Sequence, residues 1–150
     1  LSGRFEDAVT ALEKINDFKS DIDTVNFRIA ENHSKIGNDN DALKYYLTTA
    51  RLNSSFPNIY NKLAFCTKKM GDYEQSISFF KRAIECDPKN PINCYNLAIM
   101  YKKTERHIEA YETFQKTLGM LSKSDGSLKY LINEQLEQLN SKINVANAKK

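Results

Sequence analysis

Apolar residues recur along this chain at the three- and four-residue spacing of amphipathic helices, and the arrangement of these runs repeats. Within residues 57–90, two apolar-periodic runs are separated by Met70-Gly71-Asp72. The same skeleton appears in residues 23–56 and in residues 91–124. A period of about 34 residues predicts an all-α array of antiparallel helix pairs, in which each unit is one helix–turn–helix. No segment has the alternating pattern of a strand.

Aligning these units shows which positions set the packing. Small residues stand at the eighth and twentieth positions, where the two helices of a unit are expected to approach closely, and bulky residues fill the twenty-fourth. The eighth position holds Ala30, Ala64 and Ala98; the twentieth holds Ala8, Ala42, Ser76 and Ala110; the twenty-fourth holds Leu12, Tyr46, Phe80 and Phe114. The fifteenth is a turn position and holds Gly3, Gly37 and Gly71, but Glu105 in the last unit.

The helix boundaries follow from turn and capping residues. Proline suits the first turn of a helix, so Pro57 and Pro91 are each predicted to open one. Asp23 is expected to cap a helix, and residues 37–40 form a turn rich in Gly and Asn. The first three predicted helices begin at Gly3 (about 14 residues), at Asp23 and after residue 40. The other five cover residues 57–69, 73–86, 91–104, 107–121 and 127–143.

These residues resemble the tetratricopeptide repeat family. The matching residues of the unit at 91–124 are Cys94, Leu97, Ala98, Tyr101, Ala110 and Phe114, and those of the unit at 57–90 are Tyr60, Leu63, Ala64, Ser76, Phe80 and Pro88. His33 and Thr67 replace the family's usual Tyr, and Glu105 replaces its turn Gly. The resemblance implies a right-handed superhelical array of helix pairs that binds other proteins.

The resemblance implies one tetratricopeptide domain over residues 1–150, and the repeat register divides it into repeats. Residues 1–22 are the second helix of a truncated repeat, and 23–56, 57–90 and 91–124 are full repeats. Residues 125–150 are a capping helix and a frayed tail; a partner-binding amphipathic helix is the alternative for this segment. Because solenoid repeats bury their apolar faces only against neighbours, the face of Ala8, Ala11 and Leu12 is expected to be exposed or paired with another copy.

Composition excludes several classes of protein. The chain is 41% hydrophobic and 27% charged, with a formal charge of +3, which does not indicate nucleic-acid binding. Cys66, Cys86 and Cys94 are odd in number and form no C-x-x-C pair, which disfavours disulfides and a zinc site and favours the cytosol or nucleus. No apolar run reaches the roughly 18 residues of a membrane span.

No constellation of catalytic residues is present, so the chain is predicted not to be an enzyme and to need no cofactor or metal. It has no P-loop, no dinucleotide-binding glycine motif, no H-E-x-x-H and no nucleophile elbow. His33 and His107 lie where the family places packing residues, and the three cysteines are interpreted as small apolar fillers. The alternative is a substrate-selecting arm of a larger enzyme whose catalytic domain lies elsewhere.

The resemblance implies that the first helix of each unit lines a concave partner-binding groove. An apolar strip with a basic edge then predicts a protein or peptide partner, acidic and with apolar anchors. The predicted contact residues are Phe27, Arg28, Asn61, Lys62, Phe65, Lys68, Lys69, Tyr95, Asn96, Ile99, Lys102 and Lys103. The alternative is that these lysines are ordinary solvated helix surface. The family's clamp for chaperone C-terminal carboxylates is not predicted, because its positions hold Phe27, Glu31 and Ile92.

Overall fold

The computed structural model describes residues 2–18 and 23–147, with side chains for residues 3–14 and 23–144. These residues form eight α-helices and no strand, so the predicted all-α class is confirmed. The helices are α1 (Ser2–Phe18), α2 (Asp23–Lys35), α3 (Asp39–Leu52), α4 (Ile59–Lys69), α5 (Tyr73–Cys86), α6 (Pro91–Lys103), α7 (His107–Met120) and α8 (Gly126–Asn147). Residues 148–150 of the predicted tail lie outside the described part of the chain.

Two compact units divide the fold, Leu1–Phe79 and Phe80–Lys150, and α5 contributes to both. In the first unit, α2 packs on α1 and α3, and α4 packs on α3. Its core gathers apolar residues of α2, α3 and α4 around the buried ring of Tyr46. In the second unit, α7 packs on both α6 and α8. The predicted division into repeats stays a prediction, since these units are defined by packing alone.

Small residues stand where the helices of a pair meet, as the register predicts. Ala30 and Ala42 are fully buried in the first unit, and Ala98 and Ala110 in the second. In the pair formed by α4 and the start of α5, Ser76 takes the small position and its Oγ donates a hydrogen bond to the carbonyl of Ala64 at 2.9 Å. This serine replaces an alanine without leaving a buried hydroxyl unsatisfied.

The same turn closes the first helix of three successive repeats. Gly37, Gly71 and Glu105 have left-handed backbones, with φ of 80°, 82° and 59°. The amide of the residue after each one donates to a carbonyl five residues earlier: Asn38 to His33, Asp72 to Thr67 and Arg106 to Tyr101, each at 2.9 Å. This is the pairing of a Schellman motif, and it recurs at the ends of α2, α4 and α6.

Four predicted helix starts differ in the structure. Helix α1 begins at Ser2, before the predicted turn residue Gly3, and α3 begins at Asp39, inside the predicted turn at residues 37–40, because Asn38 caps it. Helix α4 begins at Ile59 and not at Pro57, because Asn58 adopts a left-handed conformation (φ 59°) that separates the proline from the helix. Helix α8 runs from Gly126 to Asn147 and is longer than predicted at both ends. Pro91 does open α6, where the side chain of Asn90 accepts a hydrogen bond from the amide of Ile92 at 3.0 Å.

Candidate peptide-binding site

A surface pocket in the first unit lies between α2 and α4. It has a volume of about 310 Å³ and is lined by Glu31, Ser34, Lys35, Tyr46, Lys62, Phe65, Cys66 and Lys69. We call it the α2/α4 pocket. Three of the predicted contact residues line it, namely Lys62, Phe65 and Lys69. The structure therefore brings part of the predicted set together around one depression.

Glu31 is the acidic member of this pocket. Its Oε1 lies 2.7 Å from Nζ of Lys62 and accepts a hydrogen bond from the hydroxyl of Tyr46 at 3.0 Å. Burial opposes ionisation of Glu31, but the hydrogen bonds from Lys62 and Tyr46 outweigh it and lower the pKa of the carboxyl. Burial and the nearby Glu31 raise the pKa of Tyr46, whose hydroxyl stays protonated. Glu31 thus neutralises part of the basic edge predicted from the sequence.

Four other basic residues of the first unit, in or near this pocket, have different environments. Nζ of Lys69 lies 3.4 Å from both the carbonyl of Ser34 and Oδ1 of Asp39. Nζ of Lys35 lies 5.3 Å from the ring centroid of Phe5, and Nζ of Lys68 lies 5.7 Å from that of Phe65. Cation–π contacts of this kind hold an ammonium group over a ring without removing its charge. The side chain of Arg28 is exposed.

The predicted aromatic residues differ in how much surface they offer. Phe65 is 41% exposed at the edge of the pocket. Phe27 packs inward, with its ring centroid 5.7 Å from that of Tyr46 and 4.7 Å from that of Phe56. Phe27 therefore serves the core of the unit as well as its surface. Phe65 is the better apolar anchor for a partner.

Asn61 has a different environment from the one expected for a peptide-binding amide. Its Oδ1 is buried and has no hydrogen-bond partner among the described residues. A buried carbonyl oxygen cannot accept from the backbone of a docked peptide unless the side chain turns outward. The assignment of Asn61 as a contact residue stays a prediction.

The second unit holds the other five predicted residues. Tyr95, Asn96 and Ile99 are half-buried on α6, and Lys103 is exposed. The ring centroid of Tyr95 lies 5.7 Å from that of Phe114. Nζ of Lys102 donates to Oε1 of Gln135 at 2.6 Å and of Gln138 at 2.7 Å. Burial and the charge of Lys142 lower the pKa of Lys102, whose ammonium group is engaged by α8.

A second pocket in the first unit lies between α1 and α2 and has a volume of about 520 Å³. We call it the α1/α2 pocket. Its lining consists of Ala8, Ala11, Leu12, Thr24, Phe27, Arg28, Glu31, Asn32 and Lys35. The three α1 residues are those expected from the sequence to lack a covering helix. Ala11 is exposed, and Ala8 and Leu12 are half-buried.

The two histidines and three cysteines do not assemble a reactive centre. His33 is buried, its ring is stacked on that of Tyr45, and its Nε2 lies 3.1 Å from Oε1 of Glu13. Cys66 and Cys94 are buried, whereas Cys86 is exposed and is not the filler that was expected. Within residues 3–14 and 23–144, no cluster of His, Cys, Asp and Glu has the arrangement of a metal site. None of the described helices is long and apolar enough to cross a membrane.

Comparison with known sequences identifies the repeats. The tetratricopeptide repeat family matches residues 57–90 and residues 79–112. Residues 57–112 therefore carry tetratricopeptide repeats, which confirms the resemblance seen in the sequence. No curated protein matches this chain.

Solved structures with the same fold are numerous and distant in sequence. One crystal structure of MamA is similar with a TM-score of 0.74 and 19% identity over 99% of this chain and 93% of that one. The type III secretion chaperone SycD of Yersinia enterocolitica, in complex with a peptide of the translocator YopD, has a TM-score of 0.71 and 19% identity, covering 78% of this chain and 91% of that one. PcrH, in complex with the chaperone-binding region of PopD, has a TM-score of 0.67 and 16% identity over 91% and 94% of the two chains.

Proposed function

We propose that this protein is a non-catalytic interaction module that binds a segment of another protein at the α2/α4 pocket. The observation that carries the proposal is the composition of the pocket. An exposed phenylalanine, Phe65, adjoins three lysines, Lys35, Lys62 and Lys69, in a depression between two first helices. An exposed apolar anchor beside a polar rim with a net charge is typical of a recognition surface.

The charge of the pocket defines the class of partner. Three lysines face one glutamate, Glu31, and Asp39 pairs with Lys69 from outside the pocket, so Lys35 keeps a positive surplus after the Glu31–Lys62 and Asp39–Lys69 ion pairs are counted. A peptide with acidic residues flanking one aromatic or aliphatic side chain complements both features. On α6 of the second unit, Lys103 and the half-buried Tyr95, Asn96 and Ile99 are proposed as further contacts. Lys102 contributes less, because Gln135 and Gln138 already accept from it.

Two of the similar structures support a peptide as ligand. SycD was solved with a peptide of YopD, and PcrH with the chaperone-binding region of PopD. They share the fold of this chain at 19% and 16% identity. These two complexes support a peptide as the kind of ligand. The proposed preference for acidic peptides rests on the lysines of the α2/α4 pocket.

Binding is tested with an array of fluorescent peptides, each carrying an acidic run and one Phe or Leu anchor. Affinity is measured by fluorescence anisotropy for the wild type and for the variants Lys69→Glu and Phe65→Ser. Each variant is expected to weaken binding about tenfold, since it reverses a pocket charge or removes the anchor. The matched control is Lys89→Glu, which makes the same charge change at an exposed loop residue. Equal losses in Lys69→Glu and Lys89→Glu would refute the assigned site.

We also infer a reducing compartment, the cytosol or nucleus, and a capacity for self-association. Cys66, Cys86 and Cys94 are all free thiols, which suits a compartment that keeps thiols reduced. The α1/α2 pocket favours self-association, because Ala8, Ala11 and Leu12 form an apolar surface on α1. In the other repeats the equivalent surface of the second helix is covered by a neighbouring helix.

A further inference from the structure

The α2/α4 pocket reaches the C-terminal ends of both helices. Lys35 is the last residue of α2, and Lys69 is the last residue of α4. The last turn of a helix presents backbone carbonyl oxygens and a partial negative charge, so it attracts cations and repels anions. The carbonyl of Ser34 shows this effect, because it accepts a hydrogen bond from Nζ of Lys69 at 3.4 Å. Phosphate groups are usually bound at the opposite, N-terminal end of a helix.

Glu31 places a full negative charge among the lysines of this pocket. Its Oε1 lies 2.7 Å from Nζ of Lys62 and 3.0 Å from the hydroxyl oxygen of Tyr46. Tyr46 is 2% exposed, so this hydrogen bond fixes the carboxylate to a buried side chain. Lys35 follows Glu31 by one turn of α2. An anion that enters the pocket therefore meets Glu31 at close range, and the repulsion between them increases with the charge of the anion.

The positive charge that remains in the pocket suits an anion with a single charge. Lys62 is paired with Glu31, and Nζ of Lys69 lies 3.4 Å from Oδ1 of Asp39. Lys35 keeps the positive surplus after these two ion pairs are counted. Among the described residues that line the pocket, the cations are all lysines. A lysine is a point charge and lacks the pair of parallel N–H donors with which arginine binds phosphate.

We infer that the α2/α4 pocket prefers a carboxylate to a phosphate group in its ligand, and that Glu31 determines this preference. The inference rests on the proposed function, because it names the anionic group of the peptide bound there. A carboxylate has a single negative charge, which Lys35 balances. A phosphoserine carries about −1.5 to −2 at pH 7 and leaves unbalanced negative charge beside Glu31. Both an Asp or Glu side chain and the C-terminus of a peptide supply a carboxylate.

The test compares four fluorescent peptides that share one phenylalanine anchor. Three are amidated at the C-terminus and carry Glu, phosphoserine or Gln at one position beside the anchor. The fourth carries Gln there and ends in a free carboxylate. Affinities for wild type, Glu31→Gln and the control Glu112→Gln are measured by fluorescence anisotropy at about pH 7.5, where most phosphoserine is a dianion. Glu112 is an exposed residue of α7, and circular dichroism establishes that each variant is folded.

The expected affinities follow from the charges. Wild type should bind the Glu peptide about fivefold more tightly than the phosphoserine peptide. Glu31→Gln should increase the affinity about fivefold for the Glu peptide and about 25-fold for the phosphoserine peptide, because the repulsion that is removed is proportional to the charge of the ligand. The two peptides should then bind Glu31→Gln about equally, whereas Glu112→Gln should keep the preference of wild type.

A lower pH separates the effect of charge from that of size. At about pH 5.5 most phosphoserine is a monoanion, whereas the Glu side chain of the peptide remains ionised. Glu31 also remains ionised there, since its pKa lies below the ordinary value of 4.5. The preference of wild type for the Glu peptide should therefore become smaller at the lower pH. A preference based on the larger size of the phosphate group would persist.

Failure of this inference can be distinguished from failure of the proposed function. The inference is overturned if wild type binds the phosphoserine peptide as tightly as the Glu peptide at the higher pH, if Glu31→Gln leaves the preference unchanged, or if the preference persists at the lower pH. If neither carboxylate peptide binds more tightly than the amidated Gln peptide, the proposed function fails and the inference fails with it. Tighter binding of the Glu peptide than of the free-carboxylate peptide assigns the pocket to a side chain, and the reverse order assigns it to a chain terminus; both support recognition of a carboxylate.

Discussion

Oε1 of Glu31 lies 2.7 Å from Nζ of Lys62, and this pair links α2 to α4 in the middle of the α2/α4 pocket. The carboxylate also accepts from the buried Tyr46, so it joins the pocket to the core of the unit. The pair therefore has two opposite effects. It stabilises the packing of the two helices, and it withholds one positive charge from an acidic partner.

Replacing Glu31 by Gln should separate these two effects. Gln keeps an acceptor for the Tyr46 hydroxyl, removes the negative charge from the pocket and releases Lys62. An acidic peptide should then bind more tightly by about 1 kcal/mol, or about fivefold, measured by fluorescence anisotropy. The control Glu112→Gln removes the same charge at an exposed residue of α7 and should leave the affinity unchanged. Weaker binding by Glu31→Gln would mean that Glu31 itself contacts the peptide.

The Glu31–Lys62 pair should also make stability depend on pH in a defined direction. The pKa of Glu31 in the folded protein lies below its ordinary value of 4.5, so the ionised carboxyl favours folding. Its contribution, about 0.5–1 kcal/mol for a partly exposed pair, is complete above pH 4.5 and is lost as the pH falls through the folded-state pKa. Urea denaturation of wild type and Glu31→Gln from pH 7 to pH 3 measures it. The difference between the two proteins should be constant near neutral pH and shrink in acid.

The repeat register was predictable because it depends on local patterns that recur. Alanine or serine at two positions, an aromatic residue at a third and a turn residue at a fourth are visible in the printed sequence, and within residues 23–124 the structure buries or turns each one accordingly. In α1 the prediction was wrong in part: Ala8 and Leu12 are only half-buried, and Gly3 lies within the helix and not in a turn. Pro57 was assigned wrongly for a local reason. Its neighbour Asn58 adopts the left-handed conformation, which asparagine tolerates but does not require. No pattern in the sequence distinguishes the two choices.

The fully buried Ala98 offers a test of the register itself. Replacing it with Leu inserts three carbon atoms where α6 meets α7 and should cost on the order of 1–3 kcal/mol of unfolding free energy. Lys103→Leu, at an exposed residue of the same helix, is the control and should change stability by less than about 0.5 kcal/mol. Both are measured by urea denaturation. Equal stability of the two variants would contradict the assignment of Ala98 to the helix contact.

The three cysteines should react with iodoacetamide at different rates. Cys86 is exposed, whereas Cys66 and Cys94 are buried. Burial and the nearby Asp39 raise the pKa of the Cys66 thiol to about 11, so only about 0.1% of it is thiolate at pH 8. Mass spectrometry of timed samples at pH 8 should show Cys86 modified first, with the other two protected until the protein is unfolded in urea. Early modification of Cys66 would mean that α4 opens readily from α3.

The composition of the site was less predictable than the fold, since its charges are paired by residues far away in sequence. Lys62 pairs with Glu31 of an earlier repeat, and Lys102 donates to Gln135 and Gln138, which lie 33 and 36 positions further on. The sequence shows each lysine on the expected helix face. Whether its charge is available depends on which side chain a neighbouring helix places beside it, and the repeat pattern does not specify that.

Glu105 occupies a turn position at which the other repeats have glycine. Its substitution by glycine measures how much the left-handed backbone of Glu105 lowers the stability of the protein. It has φ of 59° in a turn where the two preceding repeats have glycine. A non-glycine residue in the left-handed region is strained by about 1–2 kcal/mol, and glycine removes this strain. Glycine also makes the unfolded chain more flexible, which offsets roughly 0.4–1 kcal/mol of the gain in stability. Glu105→Gly should therefore stabilise the protein by about 0.5–1 kcal/mol, raising the thermal midpoint. Asn58→Gly, at the same φ of 59°, should gain less, because asparagine already tolerates this conformation. A Glu105→Gly variant that melts below wild type would mean that the glutamate side chain stabilises the turn by more than its backbone strain costs.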